Sequence, residues 1–209
     1  YPANLTHPGV LHYMIHSYDD PIHAPLGLRP ALRYGAVAPD AGHALHMTSH
    51  IFLALGLWPQ TISANIAADA AANRTRAAAG KPAYHCGHYP DWLTYAYLQT
   101  GELAKHDAAM AACGTSATAA LARANLPVLE NYRDPVRSWS DMQARRAVET
   151  REWRPVNLPE GRYLASQYRQ LYAEAVATRG DAAAALAPFA LRASASARQQ
   201  HRADTPPAA

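Results

Sequence analysis

Residues 43–60 read HALHMTSHIFLALGLWPQ, and the fold is decided there. His43, His46 and His50 stand at i, i+3 and i+7, one continuous stripe on an α-helix. The stretch closes on Gly56 and on LWPQ at 57–60, a break of the kind that joins antiparallel helices. Thirty-four residues before His46 and His50, the segment HYMIH places His12 and His16 in the same register. An imidazole pair that recurs at such an interval marks a repeated helical unit.

Outward from this stretch the pattern stays helical. Ala- and Leu-rich segments alternate with short Pro, Gly or Asp breaks such as APDAGH at 38–43, and no run alternates as a strand would. The expected helices cover 8–18, 22–37, 41–55, 59–78, 87–100, 102–113, 137–151, 161–179 and 181–199. Residues 114–136, which include ANLPVLENYRDP, read as an irregular connection, and 200–209 as a disordered tail. The expected class is all-α, and 209 residues suffice for one or two domains with a core of their own. Arg outnumbers Lys 17 to 2, yet the formal charge is only +3 with no dense basic run, so nucleic acid is not an expected partner. No apolar stretch reaches the length of a membrane span, and the N-terminus lacks a charged-then-apolar secretory pattern. A soluble chain is expected; its compartment stays open, with the cytoplasm slightly favoured. The two cysteines, Cys86 and Cys113, do not form a disulfide framework and neither prove nor exclude an oxidising compartment. The abrupt start, YPANLTHPGV, reads as a fragment or processed form of a longer protein.

Further copies of the turn follow. Phe52, Gly56 and Trp58 in FLALGLW are echoed by Tyr97, Gly101 and Leu103 in YLQTGEL, and by Gly180, Ala185 and Phe189 in VATRGDAAAALAPF. In ARRAVETREW, Arg151 stands in the glycine's place and Trp153 follows, while Pro39 stands where a second helix would end. With the interval of 34 residues, these positions resemble the tetratricopeptide repeat (TPR). More narrowly, HPGVLHYMIHSYDDP and the stretch from Ala38 to Trp58 resemble a bacterial group of such proteins with His-rich first helices. The resemblance implies a right-handed helix-turn-helix α-solenoid: three helix pairs over 1–113, the connection at 114–136, and degenerate helices over 137–199. It implies that the first helix of each pair lines a concave groove, with His12, His16, His43, His46, His50, His88 and Asp91 facing it. The first repeat departs from the family, since its turn, DDPIH, lacks the glycine.

The chemistry lies in those side chains. Two imidazoles at i and i+4 stand one turn apart on one face and can bind one ion, and adjacent helices lie close enough for a metal to bridge two such pairs. His12, His16, His46 and His50 are therefore the expected ligands, with His43, His88 or Asp91 completing the shell. Such a set suits divalent transition metals such as copper, zinc or iron, and is poor for calcium or magnesium. A thiolate at Cys86, beside His85 and His88, would favour zinc or copper(I); as a nucleophile it has no orienting third group. The competing reading is a polar network inherited from one duplicated unit, in which imidazoles bond each other and the aspartates. His23, His106 and His201 read as ordinary packing residues. Tyr13, Tyr18, Tyr84, Tyr89, Tyr95 and Tyr97 read as groove wall or as hydrogen-bonding support for the site. No GxSxG, phosphate loop or HExxH occurs. Three function classes follow: a catalytic metal site for oxidative or hydrolytic chemistry, a closed metal carrier, or a non-enzymatic groove for a peptide or partner protein.

Overall fold

The computed structural model describes residue 4 and residues 6–123, 133–154, 158 and 163–179. Among them are eight helices and no strand: α1 (Pro8–Ser17), α2 (Ala24–Val37), α3 (Gly42–Ala54), α4 (Trp58–Ala78), α5 (His88–Gln99), α6 (Leu103–Leu121), α7 (Pro135–Thr150) and α8 (Leu164–Arg179). The protein is all-α over this range. No described helix is long and apolar enough to cross a membrane. The expected helix over 181–199, the tail, and the turn copy at Gly180 lie outside the described residues.

Helix starts follow the sequence closely. His7 caps α1 by accepting from the Val10 amide, and Pro8 occupies the first turn, where its missing N–H costs nothing. Pro25 and Pro59 open α2 and α4 in the same way, and α4 begins inside LWPQ, at Trp58, one residue before the expected start at 59. Helix α6 departs from expectation. It runs past 113 to Leu121, through Gly114, which lies against the indole of Trp139. Residues 114–121 of the expected connection are thus helical, Pro135 and Val136 begin α7, and 124–132 lie outside the described residues.

The turns after α3 and α5 are the same structure. Gly56 and Gly101 take φ of +69° and +72°, a left-handed backbone that costs a glycine little. In each, the next amide reaches back to the carbonyl of a buried aromatic: Leu57 to Phe52 and Glu102 to Tyr97, both at 2.8 Å. Arg151, after α7, takes φ of +62° despite its side chain.

Contacts divide the chain into two units, Tyr1–Trp139 and Ser140–Ala209. In the first, helices α1 to α6 each pack on the next, and α1 also touches α3. Leu11 and Ile15 of α1, Ala31 and Tyr34 of α2, and Met47, Ile51 and Phe52 of α3 form one buried cluster. Each large apolar side chain there contributes about 1.5–3 kcal/mol by leaving water. Gly42 lets α3 approach α4 closely, since a Cβ there would meet the Ala68 carbonyl at 2.9 Å. In the second unit, Ala144, Ala147 and Ala173 pack α7 on α8, and the Gln170 amide donates to the Ser140 carbonyl at 2.6 Å.

Candidate metal centre

Leu11 and Ile15 take α1 into the core, and the same turns carry His12 and His16 beside that buried face. Met47 and Ile51 do likewise in α3, with His46 and His50 beside them. The third contributor, His88, is the first residue of α5. His46 is fully buried, His50 and His88 are half-buried, and one ring nitrogen from each lies within 4.8 Å of the others. The ring centroid of His46 is 5.0 Å from that of His50 and 4.3 Å from that of His88. Trp92, one turn into α5, stacks at 4.4 Å on His50 and 5.0 Å from His46, and Tyr89 lies 5.1 Å from His46.

Hydrogen bonds fix the tautomers. Asn65 of α4 donates its amide N–H to the Thr61 carbonyl, which turns its oxygen toward His46 Nδ1 at 2.7 Å. That nitrogen must therefore donate, leaving the lone pair of His46 on Nε2. His50 Nδ1 donates to the carboxylate of Asp19 at 2.7 Å, which leaves its lone pair on Nε2 as well. The two Nε2 atoms then face each other at 3.2 Å. Two lone pairs at this distance repel unless a proton or a cation lies between them. Burial pushes the His46 imidazole down to about 3, with lesser contributions from His88, His50 and His43, so this ring is neutral at pH 7. A tetrahedral ion bound at about 2.0–2.1 Å sets two ligand nitrogens about 3.3 Å apart, close to the spacing present.

The start of α5 is held in place by its approach loop. Asn73 of α4 accepts from the Tyr84 amide at 2.8 Å and donates to the Tyr84 and Asp69 carbonyls. Arg76 bonds the Pro82 carbonyl, and His85 pairs with Asp69 at 3.0 Å. Ser138 accepts from the Gly87 amide and donates to Asp91 at 2.5 Å. Cys86 is bonded to Cys113 in a disulfide. Both sulfurs are consumed in the bond, so the Cys86 thiolate considered as a metal ligand or nucleophile is ruled out.

The seven expected ligands thus separate. His46, His50 and His88 come together. His43 lies against His12, with centroids at 5.1 Å, and His16 lies on His12 at 4.6 Å. Asp91 is buried and holds Ser138. His23 pairs with Asp20 at the start of α2, and His106 is buried beside Asp107. Asn65, Trp92 and Asn73 were not legible as site residues, since an isolated Asn or Trp on a helix carries no spacing signal. The chain matches no family model, no curated protein and no solved structure.

Proposed function

We propose that the protein binds a transition metal ion through His46, His50 and His88, on a helical framework of TPR-like pairs. The observation that carries this reading is the meeting of three imidazoles with the Nδ1 atoms of two of them tied away. A shared proton would join only two nitrogens, whereas an ion can be held by all three. Asn65 and Asp19 play the part of outer hydrogen-bond partners that orient metal-bound histidines. The donor set narrows the metal. With Asp19 bonded to His50 and Asp91 to Ser138, the ligands are nitrogen only, which favours zinc or copper over iron with a carboxylate.

Three protein ligands leave a fourth tetrahedral position for water or substrate, the arrangement of catalytic rather than structural zinc sites. Hydrolytic or oxidative chemistry is the activity this supports, with Trp92 and Tyr89 walling the site. A peptide groove gains little from these side chains, which are turned on one another.

The test is metal content of untagged protein, purified without added metal and then after exposure to zinc(II) or copper(II). Wild type is expected to hold at least one ion per chain, and His46→Ala/His50→Ala to hold one fewer than wild type. Full retention by the double variant, or no uptake by wild type, overturns the proposal.

A further inference from the structure

The ligand arrangement at His46, His50 and His88 occurs a second time. It consists of an imidazole pair at i and i+4 on one helix, joined by a histidine in the first turn of the helix two places later. In the first case the pair is on α3 and the third residue, His88, opens α5. In the second the pair is His12 and His16 on α1, and the third residue, His43, is in the first turn of α3 (Gly42–Ala54). The spacings from the central ring agree. His12 lies 4.6 Å from His16 and 5.1 Å from His43, against 5.0 and 4.3 Å for His46 to its two neighbours. Rings sharing one tetrahedral ion through nitrogens at about 2.0–2.1 Å stand about 5 Å apart.

The central histidine is oriented in the same way too. His12 Nδ1 is 3.3 Å from the hydroxyl of Tyr34, whose oxygen can accept the Nδ1 proton and leave Nε2 for an ion. Tyr34 is itself buried in the α1–α3 core. The two sets differ in exposure and in closeness: His16 and His43 are exposed where His50 and His88 are half-buried, and among the described residues only His46, His50 and His88 bring one ring nitrogen each within 4.8 Å of the others. Exposed side chains change rotamer within nanoseconds, so the rings of His16 and His43 can turn toward an ion held by His12.

We infer that His12, His16 and His43 form a second metal position, taking the same class of ion, zinc(II) or copper(II). The two positions adjoin where the rings of His16 and His50 come within 6.4 Å, which makes the centre a pair of ions. The inference rests on the proposed reading of His46, His50 and His88, and the measurement below separates the two.

Zinc(II) and copper(II) are titrated into metal-stripped protein against a competing chelator, with bound metal counted per chain. Wild type is expected to bind two ions, the tighter at the buried triad. His16→Gln/His43→Gln, which alters only exposed side chains, is expected to bind one ion with the tighter affinity unchanged. His12→Gln is expected to do the same, and circular dichroism checks that each variant is folded. One ion in wild type, or two in His16→Gln/His43→Gln, overturns the second position and leaves the first standing. No ion in wild type overturns both.

Discussion

Asp19 and Asn65 touch the two central imidazoles on the side away from their partners, so their contribution is measurable through the metal. A carboxylate on His50 Nδ1 fixes the ring and raises the basicity of Nε2; removing it typically costs 10–100-fold in metal affinity. Asp19→Asn is expected to weaken zinc binding within that range while stoichiometry holds, and an unchanged affinity would show that the contact is incidental. His46 also links the site to pH. Its folded value, about 3, lies below the 6.5 of an unfolded histidine, so the unfolded chain takes up a proton that the folded one refuses. The stabilisation is full above pH 6.5 and declines as pH falls toward 3; by pH 5 the metal-free protein loses about 2 kcal/mol from this residue. Denaturant unfolding at pH 7.5 and pH 5 should show the loss in wild type and a smaller one in His46→Gln. Equal losses in the two proteins would remove His46 as the cause. The histidine pair was legible because i, i+4 spacing has only one meaning on a helix. Asn65 was not, because burial of one polar residue in an Ala-rich helix leaves no periodic trace.

At the scale of elements, the segment from 81 to 87 decides where His88 stands. The sequence AAAGKPAYHCG shows only that helical register is interrupted there. The structure shows the interruption held by Asn73, Arg76, Ser138 and the Cys86–Cys113 disulfide. Closing a loop of this length by a disulfide stabilises the fold by about 3–4 kcal/mol in the chain-entropy account. Cys86→Ser/Cys113→Ser is therefore expected to lower stability by that order. It should also weaken metal binding, since Cys86 is two residues from His88. Asn73→Ala tests the loop without touching the disulfide: it removes three hydrogen bonds to backbone and should reduce affinity with the disulfide intact. If both variants bind metal as wild type does, α5 is positioned by packing alone. Helix starts were readable from Pro and cap residues, and the turns at Gly56 and Gly101 from their shared pattern. The end of α6 was misread because Gly114 looks like a stop; the indole of Trp139 beside it is a long-range contact that no local pattern reports. The state of Cys86 was left open for a related reason, as pairing with Cys113 depends on how α6 lies against the loop.

Across the whole chain, every proposed ligand belongs to the unit Tyr1–Trp139 and comes from α1, α3 or α5. An ion shared by α3 and α5 joins residues 42 positions apart in the sequence, and so stabilises the folded arrangement over any state in which these helices separate. At a free metal concentration a hundred times Kd this linkage is worth about 2.7 kcal/mol. The effect has an address as well as a size. Openings that separate α3 from α5 must release the ion, whereas local openings within α8 need not. Hydrogen exchange with and without zinc is therefore expected to show slower exchange for amides of α3 and α5, with α8 little changed. In His46→Ala/His50→Ala, zinc should lose this effect on α5. A uniform slowing along the chain would indicate that the ion acts through global stability alone. No change anywhere, at a concentration where zinc is bound, would mean that the imidazoles hold it without drawing the helices together.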